Sequence, residues 1–154
     1  LVGTLRSAEK QILFFSGDIS WANLIQDNIE LIKVFHELAE KNISMKFLTN
    51  LDIESIENVN KMDDINNITG KDIIDIRHCQ QPLRAFIVDN KVIKMKEIKD
   101  SIKKSKTLKK RTYIFYEIYD PEWVEWMQKV FWNLFRTAIP SSKRIKELKT
   151  IKRL

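Results

Sequence analysis

Between residues 21 and 41 the polar positions Gln26, Glu30, Lys33, Glu37 and Glu40 recur every three or four residues. Leu24, Ile25, Leu31, Ile32, Val34, Phe35 and Leu38 fill the space between them. That periodicity predicts one amphipathic helix whose apolar face is wide enough to cover a sheet. Ser20 or Asn23 supplies the side-chain oxygen expected to cap its start. Short apolar runs with strand character lie on either side, near residues 11–16, 44–49, 73–77, 83–88, 92–96 and 112–118. Residues 2–9 read as the end of a helix. Residues 51–69 read as one or two short helices with a loop around Asn66-Asn67, closed by Gly70. Asp120-Pro121-Glu122 combines an N-cap carboxylate, proline at the first helical position and an acidic first turn, so a helix is expected from there to about Ala138. Its face carries Trp123, Trp126, Met127, Val130, Phe131, Leu134 and Phe135, while Trp132 falls towards the polar side and is expected at an interface.

These elements predict an α/β domain with a single mixed β-sheet flanked by helices on both faces. A strand-helix-strand unit of this length implies a right-handed crossover and parallel pairing. The stretch 83–96 adds an antiparallel hairpin, reversed at Asp89-Asn90, two residues that tolerate left-handed backbone angles. Alternation along its first strand places Arg84 among apolar neighbours, and that isolated cation needs an explanation, either a bound anion or a structural ion pair. Arg77 and His78, at the end of the preceding strand, are expected to converge on it. The loop after the first strand brings Asp18 and Trp21 to the carboxyl end of the sheet, where ligands of α/β folds gather. If no ligand occupies it, Arg84 is expected to pair with an acidic side chain, Asp18 or Asp75.

The frame Pro82, Arg84, Asp89 resembles the signature of the phospholipase D superfamily, in which His, one residue, Lys, four residues and Asp lie on a strand entering a hairpin. Proline stands in the position of the nucleophilic histidine and arginine in that of the phosphate-binding lysine. His78 does not restore the frame, because Gln80 and Ala85 occupy the corresponding later positions. The order of elements is similar to the phospholipase-D-like domain of TrmB-type archaeal transcription regulators. That resemblance implies a phospholipase-D-like half without catalytic residues, a homodimer, and a winged-helix DNA-binding domain preceding Leu1. It also implies a cytoplasmic location and a small anionic effector, with Arg84, Asp89, His78, Arg77, Asp18 and Trp21 as candidate ligand-binding residues.

The 154 residues, 44% hydrophobic and 31% charged, suffice for one core and are expected to form one domain over 1–154. Cys79 alone forms no internal disulfide, and with only His36 and His78 beside it neither a metal nor a cofactor is expected. No apolar run is long enough for a membrane helix, and no membrane partner is expected. The net charge of +6 is concentrated near residues 99–111 and 143–153; outside them acidic residues outnumber basic ones. Lys103, Lys104, Lys106, Lys109, Lys110 and Arg111 form either a solubilising loop or a candidate phosphate-contacting arm, with no aromatic interleaved for base stacking. Two other functions compete with the silent regulatory domain: an active phosphodiesterase or nuclease, and a free-standing nucleic-acid-binding module. Proline offers neither nucleophile nor proton, which weighs against the enzyme.

Overall fold

The computed structural model describes residues 1–99 and 112–152. A short helix α1 (Val2–Arg6) precedes β1 (Gln11–Phe15), a 3-10 turn (Ser20–Asn23) and the small strands β2 (Ile25–Gln26) and β3 (Ile29–Glu30). Helix α2 (Leu31–Glu40), β4 (Ser44–Thr49), a second 3-10 turn (Ile53–Ser55), α3 (Ile56–Thr69) and β5 (Ile74–His78) follow. The hairpin strands are β6 (Ala85–Val88) and β7 (Val92–Lys99), and β8 (Thr112–Ile118) leads to α4 (Pro121–Thr137), β9 (Ile139–Pro140) and α5 (Ser141–Lys152). The main sheet runs β8-β7-β6-β1-β4-β5-β9. It is mixed, as predicted: β1, β4 and β5 pair in parallel, and the remaining pairings are antiparallel.

Helices cover both faces. On one, Phe14 and its β4 partner Phe47 stack at 4.2 Å between ring centroids, and α1, α2, α3 and Leu148 of α5 close over them. On the other, Val124, Met127, Phe131 and Phe135 of α4 bury Leu13, Phe15, Leu48, Ile87 and Ile93. Asp120 caps α4 through the amides of Glu122 and Trp123, as the Asp-Pro-Glu sequence predicts. Gly70 ends α3 at a φ of 66°.

Two local expectations are corrected. The segment 21–41 is not one helix. Asp27 and Asn28 both adopt left-handed angles, φ 51° and 63°, and turn β2 back on β3. Helix α2 therefore starts only at Leu31, without a side-chain cap; Ser20 opens the 3-10 turn and Asn23 binds Asn58. Aspartate and asparagine reach that conformation at little cost, so a hairpin competes successfully with the helical periodicity. Asn66 and Asn67 lie inside α3 rather than in a loop, because the Asn66 amide accepts from the backbone of Ile73 and Ile74 and donates to Ile74, locking the start of β5. Trp132 is partly buried within its own chain. It packs edge-on against Phe131 and Phe135, one and three residues away along the helix.

The β6–β7 turn also differs. Val88 pairs with Val92, so Asp89, Asn90 and Lys91 all belong to the turn, and of these Asp89 alone has a positive φ, 49°. The Asp89 carboxylate is buried and accepts the backbone N–H groups of Glu9, Lys10 and Gln11, each at 2.9 Å. Burial alone would raise its pKa. The amides of Gln11, Glu9 and Lys10 and the charge of Lys91 outweigh that effect and hold the carboxyl below its ordinary value of 3.8. A depressed folded-state pKa gives stability that is complete above the unfolded value and is lost as pH falls through the folded one. Asp89→Ala is expected to cost about 2–4 kcal/mol in urea unfolding at pH 6. The gap from the native chain should narrow as pH drops below 3.8. A gap unchanged with pH would contradict this role.

Candidate anion site

The carboxyl ends of β1 and β4 and the start of β6 meet at one end of the sheet. Ser16 is buried there; its hydroxyl accepts from the Trp21 indole at 3.1 Å and its carbonyl from the Gln81 side chain at 3.1 Å. Gln81 in turn accepts the Leu83 amide at 2.7 Å, so the loop carrying Pro82 is pinned to the end of β1. The Gly17 carbonyl is fixed from the other side by Thr49 and by the Asn50 amide.

Arg84 lies over Gly17. A Cβ at that glycine would stand 2.9 Å from the Arg84 Nε and 3.1 Å from its Cζ, so the missing side chain makes room for the guanidinium. Nη1 donates to the carbonyls of Gln81 and Leu83. The expected ion pair with Asp18 or Asp75 does not form. Asp18 accepts the Ser20 amide, and Asp75 pairs with Arg77 and Lys46. Among the described residues Arg84 has no acidic partner.

The hairpin register sets a second cation against it. Ala85 opposes Met95, so Arg84 lies opposite Lys96, whose amide donates to the Arg84 carbonyl at 2.8 Å. The Lys96 ammonium sits 5.4 Å from the Tyr113 ring centroid and, among the described residues, makes no ion pair. Lys94, two residues back on the same face, pairs with Glu117 at 2.9 Å. That contact, with the Tyr119 hydroxyl, holds the Glu117 carboxyl below its usual range and leaves it unsuited to deliver a proton. Arg84, Lys94 and Lys96 open onto a groove of about 540 Å³, walled by Trp21, Leu24, Ile25, Phe86 and Phe115.

The other candidates separate from Arg84. Arg77 and His78 are adjacent on β5 and point to opposite faces. Arg77 lies 4.1 Å over the Phe135 ring and donates to the Phe135 carbonyl. His78 Nδ1 accepts the Leu51 amide at 3.0 Å, and burial followed by the Arg144 charge lowers its pKa from 6.5. Since β1 and β4 intervene, β5 stands roughly 14 Å from β6 at ordinary strand spacing, beyond direct proton transfer to the Arg84 site. Asp89 is at the far end of β6, opposite the start of β1. The Cys79 thiol, raised in pKa by burial, is no thiolate nucleophile at neutral pH. The lysine-rich candidates Lys103, Lys104, Lys106, Lys109, Lys110 and Arg111 lie outside the described residues.

Neither a protein-family model nor a curated protein matches the sequence. Solved structures do. Ninety per cent of the chain superposes on 86% of Nuc, a phospholipase D family member from Salmonella typhimurium, with a TM-score of 0.60 and 13% identity. Ninety per cent also superposes on 87% of NucT from Helicobacter pylori, with a TM-score of 0.58 and 14% identity. The fold is phospholipase D-like. The likeness extends to architecture. Lys94 and Lys96, absent from the sequence-based candidates, follow from the three-residue turn: with the reversal placed on two residues, the register carries no signal for either.

Among the described residues no helix is long and apolar enough to cross a membrane.

Proposed function

We propose that this chain is a catalytically silent phospholipase-D-like domain that binds an anion at Arg84, and that it serves as the regulatory and dimerisation domain of a TrmB-type transcription regulator. A winged-helix domain ahead of Leu1 would then make the DNA contacts. The observation that carries the reading is Arg84 and Lys96, register partners on the hairpin that line one groove and that have no acidic partner among the described residues, Glu117 there being bound to Lys94, beside a proline where hydrolysis needs a nucleophile. Like charges directly opposite on neighbouring strands are destabilising, and an oxyanion bound by both relieves the repulsion. A planar guanidinium suits a phosphate or carboxylate.

The purified chain should leave bis(4-nitrophenyl) phosphate uncleaved above the buffer rate, and inorganic phosphate should bind in calorimetry. Arg84→Ala should weaken that binding about tenfold or more, the scale of a charge-assisted hydrogen bond. Cleavage abolished by Arg84→Ala would contradict the silent site, and phosphate binding unaffected by it would remove Arg84 from the ligand.

Dimerisation belongs to the same reading. Trp123 and Trp126 are 55% and 59% exposed on α4, Tyr119 before it is open, and among the described residues β8 is an edge strand. Apolar exposure and an unpaired edge together favour association. Sedimentation should show a dimer at tens of micromolar, roughly the range in which a regulatory dimer survives dilution, and Trp123→Ser/Trp126→Ser should shift it to monomer. A native chain that stays monomeric there would count against this part.

A further inference from the structure

The groove in front of Arg84 is too large and too apolar for a bare inorganic anion. Its volume of about 540 Å³ lies within the size range of small-molecule sites. Cations occupy one side of it. The Arg84 guanidinium keeps Nε and Nη2 free of hydrogen-bonded partners among the described residues, Nη1 alone being engaged, and Lys96 opposes it across the hairpin. Apart from Gln26 and the Glu117 carboxylate that Lys94 binds, the other walls carry apolar side chains that folding leaves in water: Leu24 is 43% exposed, Ile25 62% and Phe115 73%.

Those three residues reach the groove from two separate elements. Leu24 and Ile25 belong to the segment that the left-handed Asp27-Asn28 turn folds back, and Phe115 projects from β8 on the face shared with Lys96, its register partner. Had residues 21–30 continued the α2 helix, Ile25 would not line the cation site. The β2–β3 hairpin instead stands as an apolar wall across from Phe115, with the Trp21 and Phe86 rings in edge contact at its base, 6.1 Å between centroids. With Glu117 neutralised by Lys94, the two remaining cations of the groove, Arg84 and Lys96, match a doubly charged head better than a single charge.

We infer that the ligand of this site is an amphipathic anion, a doubly charged phosphate-type head held by Arg84 and Lys96 with an apolar ring or short chain lying between Ile25 and Phe115. The inference rests on the anion-site reading above and adds the chemical class of the effector to it.

Calorimetry on the whole chain with three probes tests it: inorganic phosphate, hexyl phosphate below its micellar concentration, and hexanol. Hexyl phosphate should bind about tenfold or more tightly than inorganic phosphate, the return on removing a short alkyl chain from water, and hexanol should not bind measurably. Ile25→Ser and Phe115→Ser replace solvent-exposed side chains, so the fold should persist, checked by circular dichroism. Each should lower the preference for hexyl phosphate several-fold while inorganic phosphate binds as before, and Arg84→Gln should weaken both anions. Equal binding of the two phosphates, or a preference untouched by both wall substitutions, would overturn the amphipathic ligand and leave the anion site standing. Failure of both phosphates to bind would overturn the anion site itself. Hexanol binding as tightly as hexyl phosphate would show that the cations do not select the head, and would overturn the inference.

Discussion

The arrangement of this domain depends on one carboxylate. Asp89, buried in the β6–β7 turn, gathers the amides of Glu9, Lys10 and Gln11 and so ties the turn to the start of β1. Strand β6 is thereby fixed antiparallel to β1 with Val88 opposite Ile12 and Ala85 opposite Phe15. Three charge-assisted hydrogen bonds to one group carry more directional information than the apolar strands around them, which slide at little cost in burial when moved by two residues. The same turn contains three residues rather than two, and that count alone sets Lys96 across from Arg84. An aspartate at one end of the strand therefore determines which charges meet at the other.

In the proposed reading, what meets there holds an anion and does not cleave an ester. Pro82 has no group to attack with, the Glu117 carboxylate is bound to Lys94 and Tyr119, and His78 is engaged with the Leu51 amide three strands away. The electrostatics point the other way: a guanidinium laid over a glycine, an opposed ammonium, and the Gln81 and Leu83 carbonyls orienting the fork. A substitution at Gly17 would press directly on that guanidinium. Phospholipase D-like architecture does not by itself carry phospholipase D-like chemistry.

Much of the architecture was legible in the sequence because local and tertiary preferences agree. The six predicted strands are all present in the sheet, the Asp120 cap and Pro121 set the start of α4, and Gly70 takes the left-handed angle at the end of α3. Reading failed where a polar side chain was used by a distant backbone. Asn66 interrupts a helical pattern only until its bonds to β5 are known, and Asp27-Asn28 preserve helical spacing while their backbone turns. The short β9 strand, pairing Ile139 and Pro140 with His78 and Arg77, carries no local signature at all. For the site, Arg84 stood out as a cation among apolar neighbours. Its partner Lys96 did not, because opposition across a hairpin is a property of register rather than of composition.

The central claim is that Arg84 and Lys96 form one anion site at the end of β1, distinct from the lysines of α5. The most direct measurement is a two-dimensional amide NMR titration of the whole chain with inorganic phosphate. The account predicts saturable shifts confined to Gly17, Leu83, Arg84 and Lys96, and their loss in Arg84→Gln. Shifts spread over Lys143, Lys146 and Lys149 without saturation, and unchanged in that variant, would contradict it.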